Sequence, residues 1–245
     1  MRSDGRQPGD LRPVTIQTGF LAYPEGSCLV TFGNTKVICT AMVEDRVPHF
    51  VKGTGQGWIT SEYGMLPGAT QQRTFRESSA GKPNGRTQEI QRLIGRSLRS
   101  VVDMAGFPDM TLWVDCDVIQ ADGGTRTAAI TGGFVAMATA FDHLVQAKVL
   151  KKFPVRHLVA AVSVGILRGQ KILDLKYDED SIAEVDMNVV MTHDGRFIEV
   201  QGTAEHAPFS KPDLDELLAL GAKGIDQLFA LQRSALAFDL GQYGL

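Results

Sequence analysis

Residues Gly123-Gly124-Thr125-Arg126 stand where the apolar run ending at Gln120 gives way to a helix-like stretch, and their types suit the holding of an anion. Paired glycines let the backbone turn sharply and approach a ligand closely. Thr125 and Arg126 then fall where the first unpaired amides of the next helix point outward, at the partly positive end of its dipole. A guanidinium beside such an end can grip two oxygens of one phosphate. Taken alone, the same residues would also serve a plain strand-to-helix turn with a threonine cap. Arg86, following Asn84-Gly85, lies at a second expected helix start of the same kind.

A second constellation is acidic. Asp174, Asp178, Glu179, Asp180, Glu184 and Asp186 fall within thirteen residues, and carboxylates this crowded repel one another unless solvent or a hard cation screens them. From Val185 the pattern alternates, with Val185, Met187, Val189 and Met191 on one face and Asp186 and Asn188 on the other. A strand presenting Asp186 beside a turn presenting Asp178 and Asp180 could hold one magnesium ion; the alternative is a solvated acidic loop. Phosphate cradle, second arginine terminus and carboxylates together favour metal-assisted phosphoryl chemistry on an anionic polymer. Residue types alone leave open which nucleophile attacks.

The bulk properties fit such a ligand. Formal net charge is −3, which argues against a chain coated in positive charge, yet between Thr70 and Ser100 six arginines and Lys82 face only Glu77 and Glu89. A local basic surface on a mildly acidic protein suits an anion that touches one region. With 245 residues and 43% hydrophobic content the chain can bury a sizeable core, as one large domain or two small ones. No run approaches the roughly 18 uncharged apolar residues that span a bilayer, and the N-terminus is polar, so a cytoplasmic protein without a membrane partner is expected. Cys28, Cys39 and Cys116 show no Cys-x-x-Cys spacing, and His49, His143, His157, His193 and His206 show no metal spacing.

The elements that must position these residues follow from periodicity. Val14 to Phe20, Ser27 to Phe32 and Thr35 to Val43 read as strands, the last two joined by a Gly33-Asn34 turn that sets Phe32 opposite Thr35 and Cys28 opposite Cys39. From Arg46 to Gly85 glycine, proline and polar residues leave little regular pattern, the mark of a functional or partner-ordered segment. Helices are expected from Arg86 to Ala105, Thr127 to Ala147 and Pro212 to Leu236. Between them lie strands at Thr111 to Gln120, His157 to Leu167, Lys171 to Leu175, and a hairpin of Val185 to Thr192 with Arg196 to Thr203. Lys151-Lys152-Phe153-Pro154 reads as the junction between two α+β halves, residues 1–150 and 151–245.

Longer motifs carry a resemblance. Arg2-Ser3-Asp4-Gly5-Arg6, Gly57 to Pro67 (GWITSEYGMLP), Gly85 to Arg99 (GRTQEIQRLIGRSLR), Gln120 to Thr127 (QADGGTRT), Asp178 to Ser181 (DEDS), Asp186 to Val189 (DMNV) and Val200 to Glu205 (VQGTAE) resemble, in order and nearly end to end, the signatures of the bacterial ribonuclease PH family. The resemblance implies a ribonuclease PH-like α+β fold, with a core like domain 2 of ribosomal protein S5 and a C-terminal ribonuclease PH domain. It implies a phosphate-dependent 3′-to-5′ exoribonuclease that trims transfer RNA precursors, releasing nucleoside diphosphates and able to add nucleotides in reverse. Orthophosphate is then the co-substrate and Mg2+ the cofactor.

Carried over by motif, Arg86, Gly124, Thr125 and Arg126 would bind the attacking phosphate. Asp180 and Asp186, with Asp178 or Asp174, would hold magnesium or help move a proton to the leaving ribose hydroxyl; both roles call for a carboxylate, so sequence does not separate them. A homohexameric ring, a trimer of dimers, is implied, with Arg73 and Arg76 gripping the body of the RNA. After Met65-Leu66-Pro67 the family usually places an arginine, and here Gly68 stands instead. Two rivals are a catalytically silent RNA-binding subunit of an exosome-like ring, and a metal nuclease that uses water.

Overall fold

The computed structural model of the chain describes residues 2–205 and 208–245, so His206 lies outside the described residues. Two sheets carry the fold. The first joins β1 (Val14–Thr18), β2 (Gly26–Phe32), β3 (Thr35–Glu44), β4 (Trp58–Met65) and β5 (Thr111–Gln120) in the order β1-β2-β3-β5-β4. All its pairs are antiparallel except β4 with β5. The second sheet joins β6 (Val159–Leu167), β7 (Gln170–Leu173), β8 (Val185–Thr192) and β9 (Phe197–Ala204) in the order β7-β6-β8-β9, all antiparallel.

Helix α2 (Thr125–Gln146) lies between the halves, packing on β2, β3 and β5 and also on β6. Its burial on nearly every side explains why it reads as apolar all round. By length and composition alone it could cross a membrane, contrary to the expectation that no stretch would, but it is here the core helix. Gly132 lets it approach the first sheet: a Cβ there would stand 2.6 Å from Val30 Cγ1 and 2.9 Å from Cys39 Sγ. Helix α1 (Gly85–Arg99) packs on β4 and α2, and α4 (Lys211–Ala235) on β6, β7, β8 and β1. A single hydrophobic cluster runs from Phe32 and Ile94 through Phe134 to Val189 and Leu228, so the two halves share their main core.

The predicted register holds, with Phe32 opposite Thr35 and Cys28 opposite Cys39. Cys116 continues the row on β5. Hydrogen bonding to Cys116 and Cys28, together with burial, pushes the Cys39 thiol well above its ordinary range. These thiols are inert core residues.

Three expectations need correction. Strand β4 occupies part of the segment read as irregular; its inward positions Ile59, Ser61 and Tyr63 alternate with Trp58, Thr60 and Glu62, but a buried serine and an outward tryptophan disguise the period. Helix α1 stops at Arg99 rather than Ala105, because the next residues are captured by the chain beyond the junction: Arg156 N–H donates to Val101 C=O, Asp103 N–H to Pro154 C=O, and Val102 bridges Val155. The halves are also interlocked at their ends. Residues 2–10, counted with the first half by sequence, lie against the second: Leu173 N–H donates to Pro8 C=O, and Arg2 donates to Leu173 C=O, Asp174 C=O and both carboxylate oxygens of Glu179. In return Tyr243 Oη donates to Asp142 of α2, beside a stack of Phe153 on Tyr243.

Candidate active site

Between the sheets opens a cavity of about 500 Å³, lined by Arg86, Gly123, Gly124, Thr125, Arg126, Asp180, Asp186, Asn188 and Glu205, with Met65 and Tyr177 at its walls. It gathers residues from both halves. Arg86 and Arg126 occupy matching places, each the second residue of a helix, α1 and α2 respectively.

The two helix starts differ in how their amides are used. At α1 the Asn84 side chain accepts a hydrogen bond from Thr87 N–H, 2.8 Å away. At α2 the cap is Gly124, left-handed at φ 66°, with no side chain to accept from the first turn. Those amides stay available to an anion at the positive end of a 22-residue helix. The cap is thus a glycine, not the threonine of the plain strand-to-helix alternative. Gly123 is also left-handed, at φ 75°, and a Cβ there would come within 2.8 Å of the 175–177 backbone. Tyr63 Oη donates to Thr125 Oγ1 at 2.8 Å, which leaves the threonine proton free to point elsewhere.

Opposite the arginines stand the carboxylates. Asp180 ends the short helix α3 (Tyr177–Asp180), and Asp186 lies on β8 beside Asn188. Burial raises the pKa of both against the pull of Arg86 and Arg126. Asp186 goes up to about 6, burial first and the charge of Asp180 second. Two half-buried carboxylates that raise one another's affinity for positive charge form an oxygen-only donor set, which fits magnesium, an ion usually held by one or two carboxylates plus substrate oxygens.

The same shift has a consequence for stability. A folded pKa near 6, above the ordinary carboxylate value, means the metal-free protein binds this proton more tightly than the unfolded chain. Stability from this group is therefore fullest below about pH 4 and declines as pH rises through 6. Asp186→Asn is expected to stabilise the metal-free protein at pH 7.5 by about 2 kcal/mol, less at pH 4. Urea unfolding at the two pH values checks it; equal effects at both would exclude the linkage.

Two other aspartates are placed differently from their expected roles. Asp174 is buried outside the cavity, where Arg12 takes both its oxygens: Nη2 donates to Oδ1 at 2.7 Å, and Nε and the backbone N–H to Oδ2 at 2.9 and 2.8 Å. Its carboxylate is engaged by arginine rather than available to a metal. Asp178 is exposed and points away, accepting from Ser3 Oγ at 2.8 Å and pairing with Lys176 at 3.0 Å. Arg73 and Arg76 are exposed on the 71–76 loop and do not line the cavity.

Several residues were not singled out by sequence. Arg12 donates to the carbonyls of Asp122 and Gly123, so one guanidinium joins Asp174 to the glycine turn. His157, His193 and Asp194 come together although no spacing announced it. Arg196 fills the position of a cation there, donating to His157 Nε2 at 2.8 Å and pairing with Asp194 at 2.6 Å, while Leu158 N–H donates to His193 Nδ1.

An arginine-and-amide cradle and two carboxylates line one cavity between the two α+β halves, an arrangement suited to phosphoryl chemistry. The model of the 3′ exoribonuclease family, domain 1, matches residues 10–141, and that of domain 2 matches residues 157–224. The chain is 60% identical over 241 residues to "Ribonuclease PH" of Bacillus subtilis (strain 168), covering 98% of each. It is 58% identical over 237 residues to the protein of that name from Bacillus cereus (strain G9842), covering 96% of this chain and 97% of the other. The chain belongs to the ribonuclease PH family. Solved structures share the fold at lower identity. Rice (Oryza sativa) Rrp46 gives a TM-score of 0.77 at 20% identity, over 95% of this chain and 99% of that one. The Archaeoglobus fulgidus exosome with RNA bound to the active site gives 0.78 at 22%, over 94% and 91%.

Proposed function

We propose that the chain shortens RNA from its 3′ end by phosphorolysis, with transfer RNA precursors as its substrates and reverse nucleotide addition as the opposite direction of the same reaction. The observation that carries this is the convergence of an open helix start, two arginines and two half-buried carboxylates in one cavity. An oxygen of orthophosphate attacks the last phosphorus, the bond to the penultimate 3′ oxygen breaks, and that oxygen takes a proton. The released nucleotide keeps both phosphates.

Two like-charged phosphates must be brought together, so catalysis consists largely of neutralising charge and aligning oxygens. Arg126, Thr125 and the amides of the α2 start hold orthophosphate, with Arg86 at the facing helix start. Asp180 and Asp186 would hold magnesium, which when bound supplies the positive charge that offsets the scissile phosphate. A carboxylate of this pair that is not engaged by the metal would be the group to pass a proton to the leaving oxygen.

Six copies in a ring would set several basic stretches, including Arg73 and Arg76, against one RNA, and the working compartment on this reading is the cytoplasm. Incubating RNA with magnesium, with and without orthophosphate, and identifying the released nucleotide tests the proposal. Diphosphates appearing only with orthophosphate support it; monophosphates would mean hydrolysis, and no release a silent RNA-binding subunit.

Gly68 bears on the RNA grip. Gly68 is exposed, and a Cβ built there meets nothing within 4 Å among the described residues, so a side chain can leave the backbone freely. Gly68→Arg is expected to tighten RNA binding at low salt and to steepen the plot of log affinity against log salt by about 0.7 per added phosphate contact. An unchanged slope would remove position 68 from the RNA path.

A further inference from the structure

The Val200 to Glu205 motif has no part in the chemistry above, yet one of its residues reaches the phosphate cradle. Gln201, on β9, lies opposite Asn188 of β8, on the cavity side of the second sheet. Its Oε1 accepts a hydrogen bond from Arg126 Nη1 at 2.7 Å, and its Nε2 donates to Glu89 Oε1 at 2.6 Å. Glu89, on α1, stands only 3.5 Å from the same Arg126 nitrogen. Both ends of the Gln201 amide are therefore used, and in the only sense that satisfies an arginine on one side and a carboxylate on the other. A pair between Arg96 and Glu199, at 3.1 Å, ties α1 to β9 nearby.

We propose that Gln201 is a positioning residue for the orthophosphate site, holding Arg126 by Nη1 and limiting Glu89 to one long contact with that same nitrogen, so that the Nε and Nη2 edge stays open to the anion. Among the described residues that edge makes no hydrogen bond, while Nη1 makes two. A guanidinium offers two N–H groups in parallel along that edge, the arrangement that matches two phosphate oxygens. A carboxylate competes for the same fork. Glu89 already touches Nη1 at 3.5 Å, and once the amide that binds it is gone it is close enough to close on the guanidinium and compete with phosphate for its charge. The neutral amide engages both partners and leaves their direct contact long, at 3.5 Å and on Nη1 alone. The pairing also crosses the seam, since α1 belongs to the first half and β9 to the second.

This inference rests on the reading of Arg126 as an orthophosphate ligand, and the test separates the two. Steady-state phosphorolysis of a short RNA by the full-length protein with magnesium is measured while orthophosphate and RNA are varied independently. Gln201→Ala is expected to raise the KM for orthophosphate about tenfold, with kcat at saturating orthophosphate and the KM for RNA changed by less than about twofold. The double variant Gln201→Ala with Glu89→Ala is expected to recover at least about half of the loss on a logarithmic scale, because the competing carboxylate is gone. A general weakening of the fold would not be rescued this way.

If Arg126→Ala raises the orthophosphate KM and Gln201→Ala does not, the positioning role is overturned while the phosphate reading stands. If the Gln201→Ala loss is not relieved in the double variant, or falls equally on both substrates, the role is overturned as well. If Arg126→Ala changes neither the orthophosphate KM nor kcat, the phosphate reading fails and takes this inference with it.

Discussion

Arg126→Ala is expected to lower orthophosphate-dependent turnover by about 10²- to 10³-fold, the usual cost of removing one preorganised charge from a developing phosphoryl transition state. Its position accounts for the size of the effect. The guanidinium lines the cavity at the start of a long buried helix whose first amides have no capping side chain. It also draws the pKa of Asp180 and Asp186 downward, so its loss leaves the carboxylate pair with less compensation. The fold should barely notice: among the described residues the side chain makes no backbone hydrogen bond, only side-chain contacts to Gln201 and Glu89. A stability change below about 1 kcal/mol is therefore expected. Activity assays across orthophosphate concentrations, with urea unfolding of the same preparation, measure both. Undiminished turnover would withdraw orthophosphate from this turn.

The turn was legible because its chemistry is local. Gly123 and Gly124 are left-handed, and only residues within a few positions had to be read to predict a sharp turn into a helix there. The hairpin that sets Cys28 against Cys39 and the strand that sets Asp186 beside Asn188 were legible for the same reason, since each follows from a turn or a period of two. Strand β4 was hidden because Ser61 takes an inward position normally held by an apolar residue. With β4 went Tyr63, whose hydroxyl donates to Thr125 from a strand that no local pattern placed near α2.

What stayed illegible was long-range. Arg2 and Glu179 are separated by 177 positions, yet they form a buried pair at 2.7 Å, and nothing in either local sequence predicts the other. The same holds for Gln201 and Glu89, which read as ordinary polar positions on a strand and a helix until the seam brings them together. Crowding of aspartates was visible, but crowding alone does not say which carboxylates face a cavity. Backbone geometry decides that: Asp174 follows β7 at φ 54°, which turns it out of strand register and into the arms of Arg12.

Asp174→Asn is accordingly expected to unfold the protein more easily, by about 3 kcal/mol, rather than to impair its use of magnesium. Asparagine is the informative replacement because it tolerates the left-handed backbone, whereas alanine would add strain of its own. The amide keeps the shape but loses the charge, leaving the guanidinium of Arg12, itself only 4% exposed, without its counter-ion. Breaking one side of a buried pair is costly because the other side cannot return to water. A secondary loss of activity should follow, since Arg12 also holds the carbonyls of Asp122 and Gly123 beside the anion cradle. Urea unfolding measured with and without magnesium distinguishes the roles. A structural Asp174 lowers stability by the same amount in both conditions, and the magnesium concentration for half-maximal turnover stays put. Unchanged stability with a raised magnesium requirement would return Asp174 to the metal site. The simultaneous change Asp174→Asn with Arg12→Met should cost less than the sum of the two single changes, because it removes both buried charges together.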